Sequence, residues 1–180
     1  WEAIFPLNTI HHGDMYKLKV CWNGGEGERI PSYANRVVQD DRTKIFTAQV
    51  WAPDSHYTWK NSSFARKDEA PLIYESHVGM AQEKACVGTY EEYRKSTLQR
   101  IVDAGYNTVQ LMAIMEHPYY GSFGYHVANF FAASSRFGTP FELKHLIDDA
   151  HEAGLAVIMD IIHSHSVNNE VEGLSRFDGT

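Results

Sequence analysis

The sequence predicts an α/β fold built on a parallel sheet, with a smaller all-β region before it. Two observations predict this fold. The second half of the chain contains the same succession twice, a strand, a capped helix, an Ala-Gly pair and another strand. Crossover connections between parallel strands have this order. The first third instead contains short runs in which apolar and polar residues alternate, the period of half-buried antiparallel strands.

Residues 1–60 are predicted to be the end of an antiparallel β-sandwich. Three segments have strand character: Met15–Trp22, Lys44–Trp51 and His56–Lys60. The residues between the first two are polar, so we expect a long loop there. Residues 61–71 are polar, lack periodicity and end in proline. We interpret them as a linker, which makes 72–180 a second domain.

The second domain is predicted to alternate strands with helices. Thr89 and Glu92 form the sequence signature of a capping box, and Gly105 ends the helix that begins there. Thr139-Pro140-Phe141-Glu142 repeats the signature, and Gly154 ends the second helix. The predicted strands are Leu72–Val78, Tyr106–Met115 and Leu155–Ile162. Their nearly continuous apolar character predicts burial on both faces of the sheet.

Composition excludes several classes of protein. The formal net charge is −7 at pH 7 and no basic run is present, which disfavours a nucleic-acid partner. The longest uncharged stretches reach about half of the roughly 20 apolar residues that a membrane helix needs. Cys21 and Cys86 are too few and too far apart for a disulfide framework, so we expect the reducing cytoplasm. Because the chain begins at Trp1 rather than Met, we expect it to be part of a longer protein.

Ligands of parallel sheets gather at the carboxyl ends of the strands, so the residues there are the candidates for function. Residues 116–126 after the second strand are rich in aromatic side chains, which either bind a sugar or cap the sheet. Asp160 lies in an apolar strand and should therefore have a partner. His163 and His165 fall on one side of an extended chain, as in metal-dependent amide hydrolases, but the pair alone is a weak signal for a metal site.

Several runs of the second domain resemble 1,4-α-glucan branching enzymes of the eukaryotic type, within the α-amylase superfamily. The runs are Tyr74–Met80, Gln110–His117, Ser122–Tyr125, Phe130–Pro140, Met159–His165 and Gly173–Thr180. They extend from about residue 72 to the end, and runs of this length are highly specific. The N-terminal part matches more loosely.

The resemblance implies a carbohydrate-binding β-sandwich followed by a (β/α)8 barrel. The chain would hold the end of the sandwich, then the first three strands and two helices of the barrel. The implied reaction is cleavage of an α-1,4-glucan with retention and transfer of the freed chain to a 6-hydroxyl, which forms an α-1,6 branch. The implied partner is α-glucan (glycogen, amylose or amylopectin), with no cofactor. Two alternatives stay open: a glucan-binding piece without activity of its own, and another hydrolase of the superfamily.

The resemblance also assigns roles to three residues. Tyr125 matches a tyrosine that stacks on the sugar at the cleaved bond, and Asp160 and His165 match the ends of the superfamily's DxxxxH motif. Ser164 stands where many amylases have a calcium-binding asparagine, so we expect no metal. The catalytic carboxylates of the family follow later strands, so we expect them beyond Thr180 and none in this chain. A barrel open after its third strand predicts self-association.

Overall fold

The computed structural model describes residues 2–180, so Trp1, the first residue of the predicted sandwich range, lies outside the described residues. The elements in chain order are β1 (Met15–Tyr16), β2 (Leu18–Trp22), β3 (Gly25–Arg29), β4 (Val37–Gln39), β5 (Phe46–Gln49), β6 (Ile73–Ser76), α1 (Tyr90–Asp103), β7 (Thr108–Leu111), β8 (Met115–Glu116), β9 (Asn129–Ala133), α2 (Pro140–Glu152) and β10 (Ala156–Met159). Short 3-10 turns cover Tyr120–Ser122 and Ser135–Phe137. No helix in residues 2–180 has the length and apolar character needed to cross a membrane.

Two small antiparallel sheets make up the N-terminal region, one with the order β1-β5-β4 and one consisting of β2 and β3. The prediction of a single strand over Met15–Trp22 is wrong, because the chain changes partner at Lys17: β1 pairs with β5, and β2 pairs with β3. The expected polar loop contains β3 and β4. An Asn23-Gly24 turn joins β2 to β3, and Gly24 has a φ of +90°, which glycine adopts without steric cost.

The predicted strand at His56–Lys60 is also wrong, because this segment is bound to helix α2 instead of to a sheet. Buried Asp148 of α2 accepts hydrogen bonds from the Tyr57 hydroxyl and the Lys60 and Asn61 amides, each at 2.9 Å. Phe64 stacks on His151 of the same helix, with ring centroids 4.1 Å apart. The predicted linker 61–71 therefore contains no helix or strand but packs against α2 at its start.

Residues 72–180 contain a parallel sheet, as predicted, and its strand order is β6-β7-β10. Both helices pack on one face of it, around a core that includes Tyr90, Tyr93, Ile101, Val109, Leu111, Phe137, Leu146 and Leu155. Capping boxes form at both helix starts, where Thr89 and Thr139 accept from the backbone of the glutamate three residues on. Gly105 and Gly154 follow the helix ends with φ of +83° and +82°. The predicted helices and their caps are confirmed.

The strands themselves are shorter than predicted. β7 ends at Leu111, and the chain turns so that β8 pairs in antiparallel fashion with β9, a strand that periodicity did not indicate. β10 ends at Met159. The expected burial on both faces is wrong for the outer strands, since Ile73 of β6 and Ile158 of β10 are 42% and 39% exposed on the face without helices.

Candidate active-site rim

The carboxyl ends of β6, β7 and β10 lie at one edge of the parallel sheet, and the segments that follow them form a common rim. Two backbone hydrogen bonds join these segments: Val127 donates to the carbonyl of His165 at 3.1 Å, and Val167 donates to that of Val127 at 2.8 Å. The Asp160 amide donates to the carbonyl of Leu111 at the end of β7. The three predicted site residues, Tyr125, Asp160 and His165, therefore belong to neighbouring segments of the rim.

Tyr125 is half-buried in this rim, and two carboxylates influence the pKa of its phenol. Burial raises the pKa of Tyr125, and the negative charges of Asp160 and Glu75 raise it further. Both carboxylates are therefore within electrostatic range of the phenol. Glu75 was not predicted as a site residue. Its partner is defined by strand pairing, which the sequence does not show: Glu75 lies opposite Gln110 in the β6–β7 ladder, and Gln110 donates to its carboxylate at 3.0 Å.

The backbone just before Tyr125 adopts a left-handed conformation at two successive residues. Phe123 and Gly124 both have positive φ, +54° and +89°. A Cβ built on Gly124 would lie 1.9 Å from the carbonyl oxygen of Ala113, so no larger residue fits there. This close approach holds the loop against the chain just after β7, and it thereby fixes the backbone position of Tyr125.

Asp160 departs from its prediction in one respect. Asp160 was expected to lie inside an apolar strand and to have a partner, but it follows the last residue of β10 and is only half-buried. No hydrogen bond or ion pair joins its carboxylate to another residue of 2–180. The carboxylate is consequently available to a ligand.

His163 and His165 are both exposed. The Nδ1 atom of His165 lies 2.7 Å from the hydroxyl of Ser164, which leaves Nε2 for a ligand, while His163 lines an open groove beside Tyr33 and Phe131. Within residues 2–180 no group of three or more His, Cys, Asp or Glu side chains is arranged to hold a metal ion. No hydrogen bond joins the side chains of Tyr125, Asp160 and His165 to one another in this part of the protein.

The aromatic residues before Tyr125 divide between the two roles that the sequence left open. Tyr119 and Phe123 are 65% and 42% exposed, as a sugar-binding surface requires. Tyr120 instead packs against the core below, with the guanidinium of Arg136 over its ring. One aromatic side chain caps the sheet, and two are free to contact a ligand.

Beneath the rim lies a fully buried carboxylate that the sequence analysis did not single out. Glu116 accepts hydrogen bonds from the backbone amides of His117 and Ser135 at 3.1 and 2.7 Å. The hydroxyls of Ser134 and Ser135 donate to it at 3.0 and 2.9 Å. Burial raises the pKa of Glu116, and these four donors oppose that rise. The carboxylate thus holds β8 to the chain after β9.

Two buried histidines complete the underside of the rim. Burial lowers the pKa of His117 to about 4, and the pKa of His77 is lowered by the same cause. Arg136 donates to the carbonyls of His117 and Pro118, both at 2.8 Å, so a positive charge already lies beside His117. Burial therefore favours the neutral form of both imidazoles.

Comparisons with known proteins connect this rim to a family. The profile of the α-amylase catalytic domain matches residues 95–174. The 1,4-α-glucan-branching enzymes of Rhizophagus irregularis and Dictyostelium discoideum are each 46% identical to the chain over all of its length. The chain is therefore similar over its whole length to 1,4-α-glucan-branching enzymes, and part of it matches the α-amylase catalytic domain. It spans about a quarter of the length of these relatives, since it covers 27% of each.

A solved structure of low sequence identity has a similar fold. A candidate α-amylase from Salmonella typhimurium superposes with a TM-score of 0.70 at 21% identity, covering 91% of this chain and 27% of that one. At such identity the likeness concerns the fold alone. The parallel sheet β6-β7-β10 and its two helices give the chain a mixed α/β fold like that of TIM-barrel amylases.

Proposed function

We propose that the protein containing this chain is a 1,4-α-glucan branching enzyme. It cleaves an α-1,4 bond with retention and passes the freed chain to a 6-hydroxyl, so that an α-1,6 branch forms in glycogen or starch. The observation that carries this proposal is the 46% identity, over the entire chain, to proteins named for that activity. The substrate is accordingly an α-glucan such as glycogen, amylose or amylopectin.

Within this chain we assign substrate binding to Tyr125, Asp160 and His165. The half-buried ring of Tyr125 stacks on the face of the sugar at the cleaved bond. His165 donates to or accepts from a sugar hydroxyl through Nε2, the nitrogen that Ser164 leaves open. The Asp160 carboxylate has no protein partner in residues 2–180, and it supplies negative potential beside a developing oxocarbenium ion.

A retaining mechanism needs a nucleophilic carboxylate and an acid/base carboxyl about 5 Å apart. We assign neither to this chain, and we expect both after later strands of the barrel. The buried Glu116 is unsuited to either role, because four protein donors already occupy its oxygens. The chemistry as proposed uses no cofactor and no metal.

The proposal extends to domains and location. Residues 1–60 are the end of a carbohydrate-binding β-sandwich, which the two antiparallel sheets support, 61–71 are the linker, and 72–180 begin the barrel. We place the enzyme in the cytoplasm, and the free thiols of Cys21 and Cys86 support a reducing compartment. An Arabidopsis thaliana relative of 46% identity is named chloroplastic/amyloplastic, so a plastid is the alternative location.

The full-length protein incubated with amylose tests the activity. New branches appear as short chains after a debranching enzyme is added, and chain-length analysis measures them. A rise in reducing ends without new branches would identify a hydrolase instead. Binding of amylose without either product would leave only the glucan-binding role.

A further inference from the structure

Arg29, at the end of β3, is the most deeply buried cation of the N-terminal region, with 3% of its surface exposed. All three donor groups of its guanidinium bind backbone carbonyls. Nη1 donates to Glu28 at 2.9 Å, and Nε and Nη2 donate to Phe177 and Arg176, each at 3.2 Å. The last two acceptors belong to the segment that follows the third barrel strand, about 150 positions along the chain.

Trp22 of the same hairpin holds this segment from a second side. The guanidinium carbon of Arg29 lies 5.2 Å from the centroid of the Trp22 ring, and Gly179 lies close to the same indole. A Cβ on Gly179 would lie 2.4 Å from the indole, and its φ of +85° also favours glycine. The hairpin β2–β3 therefore contacts residues 176–179 through an arginine and a tryptophan.

The segment that the hairpin contacts is continuous in sequence with the candidate site. The Asn129 side chain donates to the carbonyl of Glu172 at 3.2 Å, which anchors the middle of the segment to β9. Its first residues pair with Val127, through the hydrogen bonds of His165 and Val167 described above. Hairpin, segment and rim thus form one continuous set of contacts from Arg29 to the residues beside Tyr125.

We propose that Arg29 is a positioning residue for glucan: it acts from the N-terminal region, through residues 166–179, on the placement of His165 and Tyr125. The inference rests on the proposed function for its substrate. The planar guanidinium suits this role because it presents fixed donors to carbonyls at two chain positions, whereas a lysine ammonium is a flexible point charge. A displacement of the order of 1 Å at a substrate-positioning group can lower turnover about a hundredfold.

Kinetics of the full-length enzyme give the first test. We expect Arg29→Met to lower kcat on amylose about tenfold, and Arg29→Lys to recover part of this loss. Lys19→Met is the matched control, because Lys19 lies on the neighbouring strand of the hairpin in an exposed ion pair with Glu26. It should leave kcat and KM unchanged. If Arg29→Met folds and has the kinetic constants of Lys19→Met, the proposal is wrong.

Hydrogen exchange gives a second readout that does not depend on the reaction. Peptides containing the amides of Val127 and Val167 should exchange about tenfold faster in Arg29→Met, while α1 keeps its protection. Faster exchange at 176–179 alone would overturn the proposal, because Arg29 would then anchor only the end of the segment. If the wild-type protein forms no branches but the exchange coupling is present, the proposed function fails and the positioning contact stands.

A second variant covers the case in which Arg29→Met does not fold. Gly179→Ala forces the segment off Trp22 while leaving Arg29 in place. We expect it to lower kcat about as much as Arg29→Lys does. Normal kinetics together with normal exchange at Val127 and Val167 in this variant would contradict the proposal.

Discussion

Different kinds of contact stabilise the N-terminal antiparallel region and the parallel βα region. Each helix of the βα region carries its own start and stop signals, within a few residues of the sequence. The N-terminal region depends on contacts with distant residues: Arg29 binds carbonyls near residue 176, and the segment before residue 61 binds Asp148. The N-terminal region is therefore organised in part by the βα region against which it packs.

The largest expected effect concerns the open face of the βα region in the isolated 180-residue chain. Ile73 and Ile158 are exposed on that face, and burying such a side chain contributes about 1.5 to 3 kcal/mol. β10 also has an unpaired edge among the described strands. We expect this chain to self-associate in sedimentation velocity, and Ile158→Lys to reduce the association. Leu7→Lys is the control in the N-terminal region, since Leu7 is 92% exposed away from the sheet. A monomer of 20.5 kDa would contradict the prediction.

A smaller effect tests the contact between the two regions. Asp148→Ala leaves the amides of Lys60 and Asn61 and the hydroxyl of Tyr57 without their acceptor. Because a buried donor without a partner costs about 1 to 3 kcal/mol, we expect a loss of about 3 kcal/mol in the free energy of unfolding. Denaturant unfolding of the full-length protein measures it. Asp103→Ala at the exposed end of α1 should change the free energy by less than about 0.5 kcal/mol. Equal losses in the two variants would show that the contact is unimportant.

The same contact should make stability depend on pH. Burial of Asp148 opposes its charge, but hydrogen bonds from Lys60, Asn61 and Tyr57 outweigh burial and lower the pKa to about 2. An unfolded aspartate has a pKa of about 3.9. The stabilisation is therefore complete above about pH 4 and is lost as the pH falls toward 2. The difference in unfolding midpoint between wild type and Asp148→Asn should shrink over this range. A difference that stays constant would exclude ionisation of Asp148 as its source.

The parts of the fold that could be predicted are those with local causes. Thr89 with Glu92, and Thr139 with Pro140 and Glu142, mark both helix starts, because each capping box forms within four residues. The change of partner at Lys17 has no local cause. It follows from the separate pairing of β1 with β5 and of β2 with β3, which alternation of apolar residues does not encode.

The residues of the candidate site also divide into those that could be predicted from the sequence and those that could not. Tyr125, Asp160 and His165 could be proposed from a resemblance and from the rule that ligands gather at strand ends. Glu116 and Arg29 could not, because their partners, Ser134 and Ser135 for one and the chain near residue 176 for the other, are defined only by the folded structure. A buried polar group is identified by its hydrogen-bond partners, and a single sequence does not show which residues those partners are.

The smallest expected effect tests whether each helix of the βα region depends mainly on residues close to it in the sequence. Thr89→Ala and Thr139→Ala each remove a side chain that accepts from the backbone of the glutamate three residues on, at 3.1 and 3.2 Å. Loss of an N-cap costs about 1 kcal/mol. If the two helices are determined locally, the costs are equal and the double variant loses their sum, about 2 kcal/mol. Denaturant unfolding of the three variants measures this, with Ser96→Ala on the exposed side of α1 as the control. A double variant that loses much more than the sum would show that α1 and α2 depend on each other through their packing.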